Sequence, residues 1–426
     1  MNKAIIIVII AFSSLLLRAQ DDIKVMQYNL LNYGNITSYC TASNNNMATK
    51  EGYLRTIINY VNPDIFTVNE LASNTYVIGR LLDSVMNNNP LKIYGKADYI
   101  NTNGSDLTNM LYYNKAKLVY VSAESLQNHV RDIVLYKLYY KSPNLAQSHD
   151  TAWVNFIVGH LKAGSGSSDK ADRDQMTSDA MTYLVNHNYH GNYTFMGDFN
   201  IRSSNEQSYK NLINYSDINY RFFDPINRPG NWNNSSSYAD IHTQSTHSSS
   251  NGCASGGGCD DRFDFILISN DLKQGNAHVN YVANSYTVIG NDGNHFNKSI
   301  NSGTNNSAPA NIINALYNMS DHLPVSLELH FDNQVSTVAK NDNNYLKVNY
   351  QNPVDGNLDL YIESNEYQEL SVELWSINGR KISSEDLGRN MYFHTNISMQ
   401  DLSKGMYFIR IVNLYGENIY SSKIIK

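Results

Sequence analysis

Polar side chains that can bind a metal or transfer a proton stand at the ends of six predicted strands. They are Asn29, Glu70, His160, Asp198 with Asn200, Asp264, and Asp321 with His322. A carboxylate just past a buried apolar run is costly to desolvate unless it is paired or binds a cation. Any one of these residues is explained by a turn cap, but six in one domain favour a shared cleft.

The residue types in this set indicate which chemistry the cleft would perform. Oxygen ligands suit Mg²⁺ or Mn²⁺, with Ca²⁺ as an alternative, and the sequence has no Cys/His set for zinc. We therefore interpret Glu70, with Asn29 and Asp321, as a divalent-cation site. His160 and His322 would supply proton transfer or phosphate stabilisation near neutral pH.

The stretch Tyr193–Asn200 is central to this hypothesis because it carries two of the polar groups. It is an apolar run that ends in Gly-Asp-Phe-Asn. Side chains two residues apart on a strand point to the same side, so Asp198 and Asn200 would face one cleft. The alternative is a strand that runs into an ordinary Asn/Asp turn.

The elements that must position these residues are strands separated by helices. Helical spacing over Lys50–Asn62 ends at Pro63, and a second helix is predicted near Lys170–His187, with Asp169 as its N-cap. Arg173 on that helix and His242 in a polar excursion are interpreted as solvated or helix-face residues.

Composition limits the class of protein. The chain has 426 residues, of which 42% are hydrophobic and 17% charged, and its formal net charge is -7. It can bury a large core and is expected to hold two domains. The acidic balance excludes a protein that coats nucleic acid through a broad basic surface, but permits an acidic metal cleft that handles one phosphate at a time.

The two ends of the chain differ from its centre. Lys3, the apolar run 4–17 and small Ala19 predict a signal peptide over residues 1–19, and no stretch is long enough for stable membrane insertion. A catalytic domain over 21–331 and a linker over 332–343 are predicted to follow. Residues 344–426 alternate in short strands, which predicts a small β-sandwich.

Three cysteines are present. Cys253 and Cys259 bracket a Gly/Ser-rich loop, in which a short disulfide would form after export. Cys40 is then left as a free thiol or a small buried residue.

The site residues, in their order along the chain, resemble the endonuclease/exonuclease/phosphatase superfamily that contains deoxyribonuclease I. The shared motifs are Tyr28-Asn29, Asn69-Glu70, 159–164 with His160, Gly197–Asn200, Arg262–Asp264 and Ser320–His322. The resemblance implies an α/β fold, a four-layered α/β sandwich of two packed, mostly antiparallel sheets flanked by helices. It also implies metal-dependent hydrolysis of a phosphate ester.

The same resemblance implies a role for each residue. Glu70 and Asn29 would bind the metal, with Asp321 as a further ligand, and Asp264 would orient His322 to activate a water. The residues that would orient the nucleophile or contact the phosphate are Asp198, Asn200, His160 and Arg131. For Arg131, a surface arginine at a strand start is the alternative.

The tail resembles the C-terminal sorting domain of type IX secretion substrates in Bacteroidetes. The motifs are residues 346–354, 374–380, 402–407 and 423–426. The resemblance implies handling by the type IX secretion machinery and a secreted location. Together the two resemblances predict a secreted nuclease with a nucleic-acid substrate. The alternatives are a sphingomyelinase-like or other phosphoesterase and a non-catalytic binding protein on the same fold.

Overall fold

Strand sequences that are apolar on both faces determine the centre of the fold. In Ile65–Ala72 every residue except Glu70 is buried. A strand with this pattern is covered on both faces. The computed structural model describes residues 21–88, 93–142, 151–331, 346–354 and 356–426. The predicted signal peptide and linker lie outside these residues.

The described residues divide into two compact units, 21–331 and 346–426. The strands of the first unit, in chain order, are β1 (Asp21–Tyr33), β2 (Ile65–Ala72), β3 (Tyr94–Lys96), β4 (Leu107–Asn114), β5 (Leu118–Gln127), β6 (Ile133–Tyr140), β7 (Trp153–His160), β8 (Tyr193–Asp198), β9 (Phe222–Phe223), β10 (Asp264–Ser269), β11 (Val279–Tyr281), β12 (Thr287–Val288) and β13 (Val325–Phe331). Its helices are α1 (Met47–Val61), α2 (Thr75–Ser84), α3 (Ser167–Asn186), α4 (Gln207–Ile213), α5 (Asn270–Gln274) and α6 (Ala310–Met319), with 3-10 turns at Met86–Asn88 and Ser236–Ile241.

These strands form two sheets. The first has the order β11-β13-β1-β2-β4-β3, with β12 also paired to β13, and the second has the order β5-β6-β7-β8-β10-β9. Each sheet contains one parallel pair, β1 with β2 and β7 with β8, and the other strand pairs of the described residues are antiparallel. The sheets are therefore mostly antiparallel, as expected.

The sheets pack face to face, and helices cover their outer faces. One apolar cluster joins both sheets through residues such as Tyr28, Val68, Val158 and Met196, and it extends to α1, α2 and α6. A second cluster packs α3 and α4 against the outer face of the second sheet. The expected four-layered α/β sandwich is confirmed.

The helix boundaries differ from the sequence prediction by a few residues. The first helix begins three residues earlier than predicted, because Asn46 caps it by accepting a hydrogen bond from the Thr49 N–H (2.9 Å). The helix near 170 begins at Ser167, and its N-cap is Gly166. Asp169 lies inside the first turn, where its carboxylate accepts the Gly166 N–H (3.0 Å).

The second unit is a five-stranded antiparallel sheet curled around its own apolar cluster. Its strands are β14 (Leu346–Tyr350), β15 (Asn357–Ser376), β16 (Lys381–Ser398), β17 (Met406–Asn413) and β18 (Asn418–Ile425). The strands β15 and β16 are longer than the short strands predicted, and shifts in their register interrupt the pairing. The domain boundaries inferred from the sequence remain predictions.

Candidate active site

Strand register brings the predicted residues to one end of the two sheets. In the first sheet Asn29 is the Cα partner of Asn69, the residue before Glu70. In the second, Asp198 is the partner of His160 on one side and of Asp264 on the other. Registered partners point to the same face of a sheet, so Asp198 lies between an imidazole and a carboxylate.

Left-handed backbone conformations mark the ends of the strands that carry the site. Leu31 and Asn32 both have φ 49°, Glu70 has φ 56° and Asn200 has φ 52°. Such conformations are uncommon for residues other than glycine and cluster at functional sites. They turn the chain sharply just where β1 and β2 present their polar groups.

Gly197 allows β7 and β8 to approach closely beside Asp198. Its φ is 141°, and a Cβ at this position would lie 1.7 Å from the Gly159 carbonyl oxygen. Only glycine fits this contact, which explains why the motif places glycine before Asp198.

Asn29 connects the two sheets by donating hydrogen bonds to two carboxylates. Its Nδ2 lies 3.0 Å from Glu70 Oε1 and 3.0 Å from Asp198 Oδ2. Its Oδ1 accepts the Leu31 N–H (2.9 Å). In this orientation Asn29 fixes the two carboxylates, and its role as a metal ligand remains a prediction.

His322 and Asp264 form a hydrogen-bonded pair. Nδ1 of His322 lies 2.7 Å from Asp264 Oδ2, and Nε2 lies 3.7 Å from Asp198 Oδ2. Burial lowers the pKa of His322, but the carboxylates of Asp264 and Asp198 outweigh it and hold the pKa well above its ordinary value. The pair leaves Nε2 as the ring nitrogen that faces the carboxylate cluster.

His160 differs from His322 in its charge state. Its Nε2 lies 3.5 Å from Asp198 Oδ2 and 3.8 Å from Glu70 Oε1. Burial, together with the charges of Arg131 and His322, lowers the pKa of His160 well below its ordinary value. The imidazole is neutral near pH 7, so these contacts are not ion pairs.

Asp198 lies at the centre of the acidic cluster. Burial raises the pKa of its carboxyl to about 7. His322 lowers that pKa, whereas Asp264 and Glu70 raise it. The cluster therefore holds more negative charge than its own side chains neutralise.

The donor set fits a divalent cation. One ligand atom each from Glu70, His160 and Asp198 can be chosen so that all lie within 4.8 Å of one another. Oδ1 of Asp321 is buried and has no hydrogen-bond partner among the described residues, while Oδ2 accepts the Ser255 N–H (2.9 Å). Glu70 belongs to this three-residue group, and Asp321 lines the same cavity.

The cavity has a volume of about 300 Å³. The predicted site residues that line it are Glu70, His160, Asp198, Asn200, Asp321 and His322. Asn200 also donates from Nδ2 to the Leu161 carbonyl (3.3 Å). Arg131 donates from Nη1 to the same carbonyl (3.3 Å), which places it beside His160, and its contact with a phosphate remains a prediction.

Gln244 is a site residue that sequence reasoning missed. Its Nε2 lies 2.8 Å from His322 Nε2 and 3.4 Å from Asp321 Oδ2. A neutral His322 would accept from the amide nitrogen, and a protonated one would donate to the amide oxygen, so the side chain can serve either state. Gln244 lies in a long polar excursion with no motif that could have identified it.

Ser320 and Asn69, which the sequence motifs contain only as neighbours of site residues, both form hydrogen bonds with the backbone of the site. Ser320 Oγ donates to the Asn29 carbonyl (2.7 Å) and accepts the His322 N–H (3.1 Å). Asn69 Oδ1 accepts the Asp198 N–H (2.8 Å). Each is a buried polar residue next to a predicted ligand, which is the signal that could have found them.

The disulfide prediction was wrong. Cys253 pairs with Cys40, 213 residues away in the sequence, with a Cα–Cα distance of 4.4 Å. The loop after β1 lies against the 250 loop, as the bond from Asn44 Nδ2 to the Asn251 carbonyl (3.2 Å) shows. Cys259 is a buried free thiol whose Sγ lies 3.7 Å from the His242 carbonyl.

The fold and the site define an α/β sandwich with an acidic, histidine-containing cavity. Solved structures similar to the chain include an endonuclease/exonuclease/phosphatase family protein from Bacteroides thetaiotaomicron, with 15% identity, 74% of this chain and 99% of that chain covered, and a TM-score of 0.44. A family member from Bacteroides vulgatus has 13% identity, 73% and 99% coverage, and a TM-score of 0.44. TDP2 of D. rerio, complexed with single strand DNA product, has 12% identity, 72% and 99% coverage, and a TM-score of 0.45.

Residues 349–426 match the family described as the secretion system C-terminal sorting domain. The protein is therefore a type IX secretion substrate, delivered to the cell surface or the extracellular space. No curated protein matches the chain. None of the helices that the structure describes is long and apolar enough to cross a membrane.

Proposed function

We propose that the protein is a secreted, divalent-metal-dependent phosphodiesterase that hydrolyses extracellular DNA, or RNA. The observation that carries this proposal is the His322–Asp264 pair (2.7 Å), whose second ring nitrogen, Nε2, faces Asp198. An oriented imidazole next to an acidic cluster supports general-base hydrolysis of a phosphate ester.

In the proposed reaction His322 accepts a proton from the attacking water through Nε2. Asp264 holds the proton on Nδ1, so that the correct ring nitrogen is free. Asn200 and His160 would orient the phosphate, and the neutral state of His160 allows it to donate a hydrogen bond without adding charge. Asp198 would orient the water from between the two histidines.

Glu70 and Asp321 would hold Mg²⁺ or Mn²⁺, with Ca²⁺ as an alternative, and Asn29 would fix the Glu70 carboxylate through Nδ2. When bound, the cation offsets the carboxylate charge, returns the pKa of His322 toward neutrality and stabilises the anionic phosphate. The unpartnered Oδ1 of Asp321 is the observation that supports this fit.

The test is a panel of plasmid DNA, RNA, sphingomyelin vesicles and a nitrophenyl phosphodiester, each with Mg²⁺, with Ca²⁺ or with EDTA. We expect metal-dependent cleavage of nucleic acid, and a loss of about 10²–10⁴-fold in kcat for Glu70→Gln. The matched control is Asp83→Asn, an acidic residue exposed on α2.

The outcomes of the panel separate the candidate functions. Cleavage of sphingomyelin but not of nucleic acid would favour the sphingomyelinase-like alternative. No turnover of any substrate would favour a non-catalytic binding protein. Undiminished cleavage by Glu70→Gln would overturn the assignment of the site.

A further inference from the structure

Residues 30–32 form a turn within β1, where its register with β2 shifts, and this turn sets the positions of two predicted metal-site residues. Its backbone N–H groups donate to their side chains: Leu31 N to Asn29 Oδ1 (2.9 Å) and Asn32 N to Glu70 Oε2 (2.9 Å). Leu31 and Asn32 both adopt the left-handed backbone conformation, which is unfavourable for residues that have a Cβ. Contacts elsewhere must therefore hold this turn in shape.

The buried ammonium of Lys50, from the first turn of α1, provides those contacts. Its Nζ donates to the carbonyls of Leu30 (2.7 Å) and Leu31 (2.8 Å) and to Asn45 Oδ1 (2.8 Å). An ammonium has three protons, so these three acceptors satisfy it completely. The side chain is 4% exposed.

Asn45 makes a further contact with the turn, and Lys50 and Asn45 together are called the clamp. Asn45 is 2% exposed, and its Nδ2 donates to the Asn32 carbonyl (2.8 Å). Lys50 and Asn45 therefore bind the carbonyls of three consecutive residues, 30 to 32. The N–H groups of two of these residues, Leu31 and Asn32, donate to the side chains of the site. An apolar side chain in place of Lys50 would leave two carbonyls and the Asn45 amide oxygen without a donor.

The lysine is kept buried at an energetic cost. Burial lowers the pKa of Lys50 to about 7, although Asp321 and Glu70 both raise it. Those two carboxylates therefore favour the charged form of the side chain. Among the described residues the hydrogen bonds of Nζ go to residues 30, 31 and 45 and not to a predicted ligand, so Lys50 positions the ligands through the turn.

We propose that Lys50, with Asn45, is a positioning residue that shapes the β1 turn so that Glu70, held by Asn29, binds a divalent cation. The inference rests on the proposed metal-dependent function. Loss of the clamp removes no carboxylate, but it should shift the Glu70 side chain away from the other ligands.

The test is a calorimetric titration of the full chain with Mn²⁺ alone, for the wild type and Lys50→Met. We expect Lys50→Met to weaken Mn²⁺ binding about tenfold, the range seen when groups that orient ligands are removed. We also expect kcat on plasmid DNA to recover at saturating Mn²⁺, which a general loss of structure would not permit. The matched control is Lys115→Met, an exposed lysine after β4, with unchanged binding.

Asn45→Ala is the second variant, and it decides the test if Lys50→Met does not fold. Asn45→Ala keeps the ammonium and its two carbonyl contacts, and we expect about threefold weaker binding. Binding within the wild-type error in a folded Lys50→Met, or in Asn45→Ala where Lys50→Met does not fold, overturns the inference.

The inference and the proposed function fail in different ways. If the wild type binds Mn²⁺ but cleaves no phosphodiester, the proposed function is wrong. Weaker Mn²⁺ binding in the variants would still support the clamp. If both variants cleave DNA and bind Mn²⁺ as the wild type does, the positioning role of the clamp is wrong and the proposed function is unaffected. A wild type that binds no Mn²⁺ overturns both.

Discussion

Two buried groups of charged residues in the first unit differ in how their charges are balanced. Arg262, 1% exposed, binds Asp224 through both terminal nitrogens, at 2.7 Å and 2.9 Å. Its guanidinium also lies over the Phe265 ring, 4.3 Å from the centroid. One cation meets one anion, so this group is neutral without any external ligand.

The acidic cluster of the candidate site is not balanced in this way. Glu70, Asp198, Asp264 and Asp321 share it with His322, and His160 is neutral near pH 7. Oδ1 of Asp264 and Oδ1 of Asp321 are buried and have no hydrogen-bond partner within the described part of the chain. Neither burial nor a missing hydrogen bond distinguishes the two groups, because Nε of Arg262 also lacks a partner among the described residues; the excess of negative charge does.

The largest effect that would test this contrast is a loss of activity without a loss of stability. Asp264→Asn keeps the shape of the side chain but removes the charge that orients His322. We expect kcat to fall about 10²–10⁴-fold, because the imidazole loses its fixed tautomer. The free energy of unfolding should change little, because the lost attraction to His322 is offset by a smaller excess of negative charge in the cluster.

Initial rates on plasmid DNA and urea unfolding of the same preparation measure both quantities. A variant that is strongly destabilised but retains wild-type kcat would show that Asp264 is structural. The contrast between the two groups would then be wrong.

The second effect is expected at the balanced pair. Although burial raises the pKa of Asp224, the Arg262 guanidinium holds that pKa below its ordinary value. Arg262→Met leaves the carboxylate buried and unpaired, which should cost about 3–5 kcal/mol of unfolding free energy. The double change Arg262→Met with Asp224→Leu should recover most of this loss, because no charge remains buried.

Urea unfolding of the two variants and the wild type measures this recovery. A double variant no more stable than Arg262→Met would mean that the pair does more than neutralise its own charges. The Arg262–Asp224 pair could then not be treated as purely structural.

The sequence predicted the layers and the site because both depend on local patterns. Apolar runs that end in a polar group, such as the one that ends in Asp198, indicate both a buried strand and where its end lies. Strand register then brings Asp198 between His160 and Asp264, which no local pattern specifies. The order of motifs along the chain supplied that information through the family resemblance.

The sequence did not predict contacts that depend on distant loops. Cys40 reaches Cys253 only because the loop after β1 packs against the 250 loop, whereas proximity in sequence favoured Cys259. Gln244 enters the site from the same excursion. Both depend on loop packing, which leaves no periodic signal.

Buried charge was also misjudged where a partner lies far away. Arg173, expected on a solvated helix face, is fully buried and binds Glu206 (2.6 Å) and the carbonyls of Lys162 and Gly164. His242 is buried as well, between the carbonyls of Trp232 and Cys259. Charged and polar side chains are read as exposed by default, and only the tertiary structure shows their partners.

The smallest effect is expected at a solvent-exposed arginine–aspartate pair. Arg228 binds Asp240 at 2.5 Å, and their side chains are 38% and 59% exposed. Asp240→Asn should change the unfolding free energy by less than about 1 kcal/mol, because water already solvates both charges and salt screens them. Urea unfolding at low and at high salt measures the change, which should be small at low salt and smaller still at high salt. A loss as large as that of Arg262→Met would show that guanidinium–carboxylate geometry, and not burial, determines the cost of breaking a pair in this protein.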